Sequence, residues 1–322
     1  MSDALYNVGS NLFLMLIFPG VVFLMVFSLA AEYLDRKLSA RLQNRVGPPW
    51  FQPLADFIKL CAKQDVMPEQ ADRTVFKLMP LVAFAATVAA SLYIPLWGRE
   101  GLMFFDGDLI VVLYLLTIPT ITFFLAGWYS GSTYSLLGAA RSITQLFAYE
   151  IPLFLSVLGP ALLAGTWSLR GIATFYAAPE HQVLMLFNVV GFIVAMVALL
   201  GKLEKVPFDI PEAETEIVAG SFTEYGGRLL AMFRMAIDIE MVVGASLLAA
   251  VFLPFGLGYG PVIGFVLYLV KVLFVVALLS TLRTLFARMR IDQMINFCWK
   301  RVAPVAFAQL LVDLIVKGVI SR

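Results

Sequence analysis

Eight apolar segments, each about 20 residues long, constrain the fold of this chain more than any other feature. They lie near residues 11–31, 78–97, 109–127, 142–165, 183–201, 231–254, 262–282 and 302–320. Each is long enough to cross a hydrocarbon core about 30 Å thick. Because 61% of the 322 residues are hydrophobic, lipid is the expected solvent. The sequence predicts an all-α integral membrane protein with about eight transmembrane helices, forming a single membrane domain over residues 1–322.

The Lys and Arg residues predict how these helices are oriented. Basic residues are dense in three connections and sparse in the others, where Arg99 and Arg170 stand almost alone. By the positive-inside rule, the basic connections face the cytoplasm. We therefore expect both termini outside. Alternation over eight spans then gives cytoplasmic connections at about 32–77, 128–141, 202–235 and 283–301, which are the three basic connections and 128–141.

Potential metal ligands are scarce. The cysteines are Cys61 and Cys298, and the single histidine is His181. Iron–sulfur clusters need about four thiolates and haems usually need histidine, while zinc needs four donors. We expect no metal and no cofactor in this chain itself. The net charge of +1 is also far from the excess of positive charge that is typical of nucleic-acid binding.

The first long connection contains a predicted amphipathic helix. Phe51, Leu54, Ile58 and Cys61 share one face at helical spacing, and Pro53 is acceptable in a first turn. Such a helix lies along the membrane surface, either in the lipid interface or beneath a partner subunit.

Ionisable residues inside the apolar segments are candidates for a proton path. Glu150 lies within the fourth segment, where a carboxylate costs about 2.5–3.5 kcal/mol on insertion scales and should face the bundle interior. The alternative is a carboxylate that only hydrogen-bonds a neighbouring helix. Further candidates are Asp238, Glu240, Lys271, Asp313 and Lys317. Asp313 and Lys317 are four residues apart and could simply pair with each other.

The connection after the fifth segment is rich in acids. Six carboxylates occur in 21 residues, namely Glu204, Asp209, Glu212, Glu214, Glu216 and Glu224. Pro211 is typical of a helix start, which places Glu212 and Glu216 on one face. A semi-buried acidic set of this kind would share protons. Capping of the helix dipole is the alternative explanation.

Four segments resemble the subunit-1 (H-type) family of respiratory complex I. They are DRKLSARLQNRVGP at 35–48, YSLLGAAR at 134–141 followed by Gln145 and Glu150, PFD at 207–209 through TEY at 223–225, and ARMRIDQ at 287–293. The resemblance implies a tilted bundle of eight helices. This bundle would stand between a peripheral redox arm and antiporter-like membrane subunits, in a prokaryotic cell membrane.

The resemblance also implies roles for particular residues. The acids at family positions line a proton route, which here comprises Asp35, Glu150, Asp209, Glu212, Glu214, Glu216 and Glu224. Asp238 and Lys271 extend this set from the membrane segments. Asp35 stands where complex I usually has glutamate. The basic residues expected either to dock the redox arm or only to set topology are Arg36, Arg41, Arg45, Arg141, Arg288 and Arg290.

Two departures favour a particular branch of this family. After Gly47-Pro48 the chain lacks the longer glycine-containing insert of complex I, and Ala287 stands where complex I typically has proline. Both features resemble membrane-bound group 4 [NiFe] hydrogenases and ferredoxin-dependent sulfur reductases. The implied partners are hydrogenase-like large and small subunits and a ferredoxin-type subunit, which would carry the Fe–S clusters and a [NiFe] centre.

Two alternatives to this interpretation stay open. One is the quinone-site subunit of a quinone-reducing complex I, with quinone as the acceptor. The other is a stand-alone ion transporter, which would move ions in liposomes as a purified single chain.

Overall fold

The structure, a computed structural model, describes residues 13–96, 98, 101–256 and 260–320, without the side chains of 179, 214, 215 and 320. Eight helices in these ranges are long and apolar enough to cross a membrane, which confirms the predicted fold class. They are Phe13–Leu42, Arg73–Ser91, Asp108–Trp128, Thr133–Ala164, Glu180–Lys202, Gly227–Phe252, Pro261–Leu285 and Ile291–Val319. The start of the first predicted segment, residues 11–12, and Arg99 lie outside the described residues.

We number the α-helices in chain order. They are α1 Val21–Leu42, α2 Gln52–Ala62, α3 Arg73–Ser91, α4 Asp108–Trp128, α5 Thr133–Ala164, α6 Leu169–Ala177, α7 Val189–Lys202, α8 Glu214–Ile217, α9 Gly227–Phe252, α10 Pro261–Leu285, α11 Ile291–Phe297 and α12 Ala303–Ile320. A 3₁₀ segment, Pro179–Asn188, precedes α7, and a π-helical turn, Cys298–Val302, joins α11 to α12.

Two helices extend well beyond their apolar segments. Helix α1, in the first apolar segment, continues to Leu42 rather than ending near 31. Helix α5, in the fourth, begins at Thr133 rather than near 142. The added turns are polar in sequence, yet Glu32 and Asp35 are buried within the bundle. Hydropathy alone does not recognise these turns, because their charges are neutralised by residues distant in the chain. The connections predicted at 32–77 and 128–141 are therefore partly helical.

Helix α9 is the centre of the bundle. In its most apolar 18-residue window 83% of residues are buried, compared with 22% in the last span. It packs against α1, α2, α3, α7 and α10. Its small residues, including Gly244 and Ala245, permit close approach of these neighbours. Glu240 and Ser246, two polar residues in this part of α9, are therefore buried in the bundle.

Helix α5 supports the acidic loop. It packs against α4, α7 and α12, and Pro152 and Pro160 interrupt its backbone hydrogen-bond ladder. A Cβ added to Gly138 would lie 2.6 Å from the Cα of Gly220. Only glycine at 138 allows the loop to approach α5 this closely.

The predicted amphipathic helix is present as α2, with Pro53 in its first turn. Leu54 and Ile58 are 45% and 58% exposed, so the apolar face is directed away from the chain. Asp56, on the opposite face, accepts a hydrogen bond from Arg36 of α1. The helix thus presents apolar side chains outward to lipid or to a partner, and carries polar groups on its inner side.

The predicted helix beginning at Pro211 is wrong. Residues 211 and 212 form a turn, Ala213 has a non-helical ψ of 86°, and α8 covers only four residues from Glu214. Val218, with φ of 63°, ends it. Glu212 and Glu216 therefore do not share a face of one continuous helix.

Candidate functional site

A charged cavity of about 850 Å³ lies between α1, α2, α9 and the loop that follows α7. Seven acidic and seven basic side chains line it, so the lining is close to neutral and must keep its charges by pairing. They are Glu32, Arg36, Asp56, Lys59, Lys202, Glu204, Lys205, Asp209, Glu212, Arg234, Asp238, Glu240, Arg283 and Arg288.

Asp35 is the best-neutralised carboxylate beside this cavity. Its Oδ2 lies 2.6 Å from Lys205 Nζ and 2.7 Å from Arg283 Nη1, and its Oδ1 accepts a hydrogen bond from Ser280. Lys205 also lies 3.3 Å from Glu32. Burial opposes the charge of Lys205, but the Asp35 and Glu32 carboxylates raise its pKa above the ordinary value. This group of charges is fixed, and it ties α1, α10 and the loop together.

Lys202, at the end of α7, is held much more loosely. Its Nζ lies 3.8 Å from Glu150 of α5 and 3.9 Å from Glu240 of α9, and its side chain is only 1% exposed. Both distances exceed those of a direct charged hydrogen bond. Among the described residues, Lys202 Nζ, both oxygens of Glu150 and Oε1 of Glu240 have no hydrogen-bond partner. The ring of Tyr149 lies 5.4 Å away and gives the ammonium a cation–π contact.

Glu204 connects this buried group to the acidic loop. Its backbone has φ of 49°, a left-handed conformation that turns the chain sharply after α7. Burial, followed by the nearby charges of Glu212 and Glu240, raises the pKa of Glu204 to about 8. Glu212 itself pairs with Arg234 at 3.2 Å. At neutral pH Glu204 therefore carries a proton within the cavity.

Three of the sequence motifs meet at this loop. The Met289 amide donates to the Pro207 carbonyl at 3.0 Å, and Arg288 Nε donates to Asp209 Oδ1 at 2.9 Å. From α5, Gln145 Nε2 donates to the carbonyls of Gly201 and Phe208. Hydrogen bonds thus join the motif at 134–150, the acidic loop and the last loop into one structure, of which Asp209 and Arg288 line the cavity.

The sequence model described as NADH dehydrogenase matches residues 14–314. The chain belongs to the NADH dehydrogenase family. The H-type subunit of the NADH-quinone oxidoreductase of Carboxydothermus hydrogenoformans is 37% identical over 319 residues, covering 94% of this chain and 89% of the relative. The same-named protein of Bacillus cytotoxicus is 35% identical over 327 residues, covering 96% and 95%.

A solved structure is also similar to this NADH dehydrogenase family member. A chain of the membrane-bound sulfane sulfur reductase, described as an archaeal respiratory membrane complex, superposes with a TM-score of 0.80 and 27% identity. The match covers 91% of this chain and 96% of that chain. The predicted resemblance to the H-type family is confirmed.

The predicted proton-path residues fall into separate places in this family member. The cavity contains Asp209, Glu212 and Asp238 in its lining, with Glu150 reached through Lys202. Glu216 is exposed, and the hydrogen bond from Arg141 at 2.7 Å lowers its pKa. It therefore belongs to a surface ion pair, not to a semi-buried acidic set.

Two other predicted residues, Lys271 and Glu224, lie away from this cavity. Lys271 donates to the carbonyls of Leu253 and Phe255 near the end of α9, where it acts as a cap. Glu224 is half-buried and lies outside the cavity lining. The side chain of Glu214 lies outside the described residues.

The arginines predicted to dock a redox arm divide into two groups. Arg36, Arg141 and Arg288 form ion pairs within the chain. The others are exposed, and they are Arg41, Arg45 and Arg290. Arm docking stays a prediction.

Sequence reasoning missed several bases and one acid that build the site. Lys202, Lys205 and Arg234 belong to a basic connection that the positive-inside rule explains by topology alone, although each lines the cavity beside the acidic loop. Glu32 precedes Asp35 by three residues, a spacing that places both on one helical face. That spacing is a signal that could have identified Glu32. Among the described residues, no group of three or more His, Cys, Asp or Glu side chains is placed to hold a metal ion.

Proposed function

We propose that this chain is the membrane subunit of a complex I-like oxidoreductase, where it anchors a peripheral redox arm and carries protons toward antiporter-like subunits. The names of the relatives and the respiratory complex of the solved structure support an assembly of this kind. The partners would be hydrogenase-like or sulfur-reductase subunits with Fe–S clusters. The basic connections would face these partners on the cytoplasmic side.

One observation supports proton transfer most directly, namely the buried ammonium of Lys202 between two carboxylates at nearly equal distance. Unit charges about 4 Å apart interact by roughly 4 kcal/mol at an effective dielectric of 20. Since about 1.4 kcal/mol is a tenfold change in occupancy, a movement of Lys202 of about an ångström toward Glu150 or Glu240 would redistribute a proton between them. The cavity lining supplies polar partners for water leading to this position.

The acidic loop would transmit the state of the redox arm to Lys202. The ion pair of Arg288 and Asp209 is partly exposed, and Glu204 lines the same cavity as this pair and the buried group. A charge or conformational change at the arm would disturb this pair first. The proton on Glu204 would respond next, because its protonation depends on the carboxylates around it.

The test uses the intact complex in membrane vesicles. Glu150→Gln and Glu240→Gln keep size and hydrogen bonding but remove titration. Both variants should assemble and oxidise the electron donor, reduced ferredoxin or NADH, at rates close to wild type. Ion uptake per electron should fall at least several-fold. The matched control is Glu69→Gln, an exposed carboxylate, which should pump normally. Normal pumping in assembled Glu150→Gln and Glu240→Gln complexes would refute the proton path.

A second candidate function is favoured by the names of the relatives. Those named NADH-quinone oxidoreductase are 35–37% identical to this chain, compared with 27% for the sulfur reductase chain. One margin of the cavity is apolar, formed by Leu29, Pro53, Phe57 and Leu60, and fits a quinone ring, whereas the charged interior fits water. Metal analysis of the native complex distinguishes a hydrogenase from the other two activities. Nickel identifies a hydrogenase, whereas iron without nickel is consistent with either sulfur or quinone reduction.

A further inference from the structure

Another buried carboxyl group, Asp313 of α12, lies beside α5 at a distance from the cavity. Asp313 is fully buried, although the helix that carries it, α12, exposes its neighbours Val312 and Leu314. Glu150 and Gly159, which faces Asp313, are nine residues apart, or about 13.5 Å along a helix. The cavity lining does not include Asp313.

The surroundings of Asp313 do not neutralise a negative charge. The predicted pairing of Asp313 with Lys317 does not occur: in the described part of the chain, no ion pair within 4.0 Å joins the two side chains. Lys317 Nζ is instead directed toward Gly165, at the end of α5. The side-chain donor to Asp313 is Gln309, which bonds Oδ1 at 3.0 Å. An ionised carboxylate in this position would be buried, unpaired and at membrane depth, which is strongly unfavourable.

The second oxygen of Asp313 faces another acceptor. Among the residues that the structure describes, Oδ2 has no hydrogen-bond partner, and neither does Oδ1 of Asn188, a residue that is 3% exposed. A Cβ added to Gly159 would collide with Asp313 Oδ2 and would lie 3.2 Å from Asn188 Oδ1, so both oxygens converge on this glycine. The amide nitrogen of Asn188 donates to the Tyr176 hydroxyl at 3.3 Å. Two buried acceptors that converge in this way need a hydrogen between them. A protonated Asp313 supplies it, and so would an Asn188 amide turned to donate to an ionised Asp313; only the first gives the infrared band of a protonated carboxyl group.

We infer that Asp313 and Asn188 form a proton-binding site, in which the neutral carboxyl group of Asp313 donates its proton to Asn188 Oδ1. The ligand is a proton rather than a metal cation, because two free oxygens are enough for one O–H donor and its acceptor. Among the described residues, the titratable group that faces the site is Tyr176 of α6, which is bonded to Asn188. The site is separate from the cavity, so the inference takes from the proposed function only the complex in which it is tested.

Infrared spectroscopy of the purified complex tests the site directly. A protonated carboxyl group has a C=O stretching band that an ionised carboxylate lacks. At neutral pH this band should appear in the difference between wild type and Asp313→Asn, and it should shift in D₂O. In Asn188→Leu the band should move to higher frequency, because the acceptor is lost. Glu69→Gln, which changes an exposed carboxylate, should give no such difference.

The amide variant also provides a test of assembly. Asp313→Asn places an N–H donor toward Asn188 Oδ1, so the complex should assemble and oxidise its electron donor within about two-fold of wild type. Absence of the band, or failure of Asp313→Asn to assemble, would overturn the inference, because either result indicates an ionised Asp313. A band that disappears when sodium is added would overturn it in favour of a cation site. A band unmoved by Asn188→Leu would exclude Asn188 as the acceptor.

Discussion

Glu204 offers the sharpest test of the cavity, because its protonation changes near neutral pH. With a pKa of about 8, roughly nine in ten Glu204 side chains carry a proton at pH 7 and about one in ten at pH 9. If this proton takes part in coupling, ions pumped per electron should fall as pH rises through about 8. Glu204→Gln removes the titration, so this step should be absent from the variant.

The same pKa fixes the sign of an effect on stability. Burial raises the pKa of Glu204 from 4.5 to about 8, so the native state binds more protons than the unfolded state between these values. Stability is therefore fully present below pH 4.5 and declines as pH rises to about 8. The total loss is at most about 5 kcal/mol, of which about 3 kcal/mol has occurred by pH 7. Glu204→Gln should remove this decline, and its advantage in thermal unfolding over wild type should grow with pH.

Two further variants control the experiment. Because the Glu212 charge helps to raise the pKa of Glu204, Glu212→Gln should move the midpoint of the pumping step to lower pH. Glu69→Gln should leave the midpoint unchanged. The measurement is ion uptake per electron in vesicles buffered equally on both sides from pH 6 to 9. A step near pH 8 that persists in Glu204→Gln would show that another group is responsible.

Three other predictions concern the charge pairs. In Lys205→Met, Asp35 keeps Arg283 as its basic partner at ion-pair distance among the described residues. The substitution should lower the free energy of unfolding by about 3 kcal/mol, the lower end for breaking a buried pair, and this is measured as a lower melting temperature of the complex. Asp56→Asn breaks the half-exposed pair with Arg36 and leaves the Arg36–Glu32 pair intact, so it should cost no more than about 1 kcal/mol; a larger loss would show that the Asp56 pair holds α2 in place. Glu216→Gln should leave pumping within about two-fold of wild type, because Glu216 is exposed, and a several-fold loss would return it to the proton path.

Several parts of the structure could be predicted because their signals are local. Eight apolar segments predict eight spans, since crossing lipid requires about 20 consecutive apolar residues. The spacing of Leu54 and Ile58 predicts α2, because helical periodicity places both on one face. Glu150 could be identified as an interior residue because a carboxylate in lipid is too costly to leave unpartnered. Each conclusion depends on residues within about one helix length.

The arrangement of the charges was decided by the tertiary structure alone. Asp35 meets Lys205 and Arg283, which lie 170 and 248 residues further along the chain, and hydropathy carries no information about such pairs. The same pairing keeps the polar end of α1 helical and buried where the sequence predicted a loop. For the acidic loop, local propensity predicted one helix from Pro211. The structure has a turn at this position, where the loop packs on Gly138 and Glu212 pairs with Arg234. The sequence by itself determined which segments enter the membrane, because transfer to lipid depends on local composition. Which carboxylates are neutralised, and which are left able to hold a proton, was decided by long-range packing, because electrostatic energy depends on distances that exist only in the folded bundle.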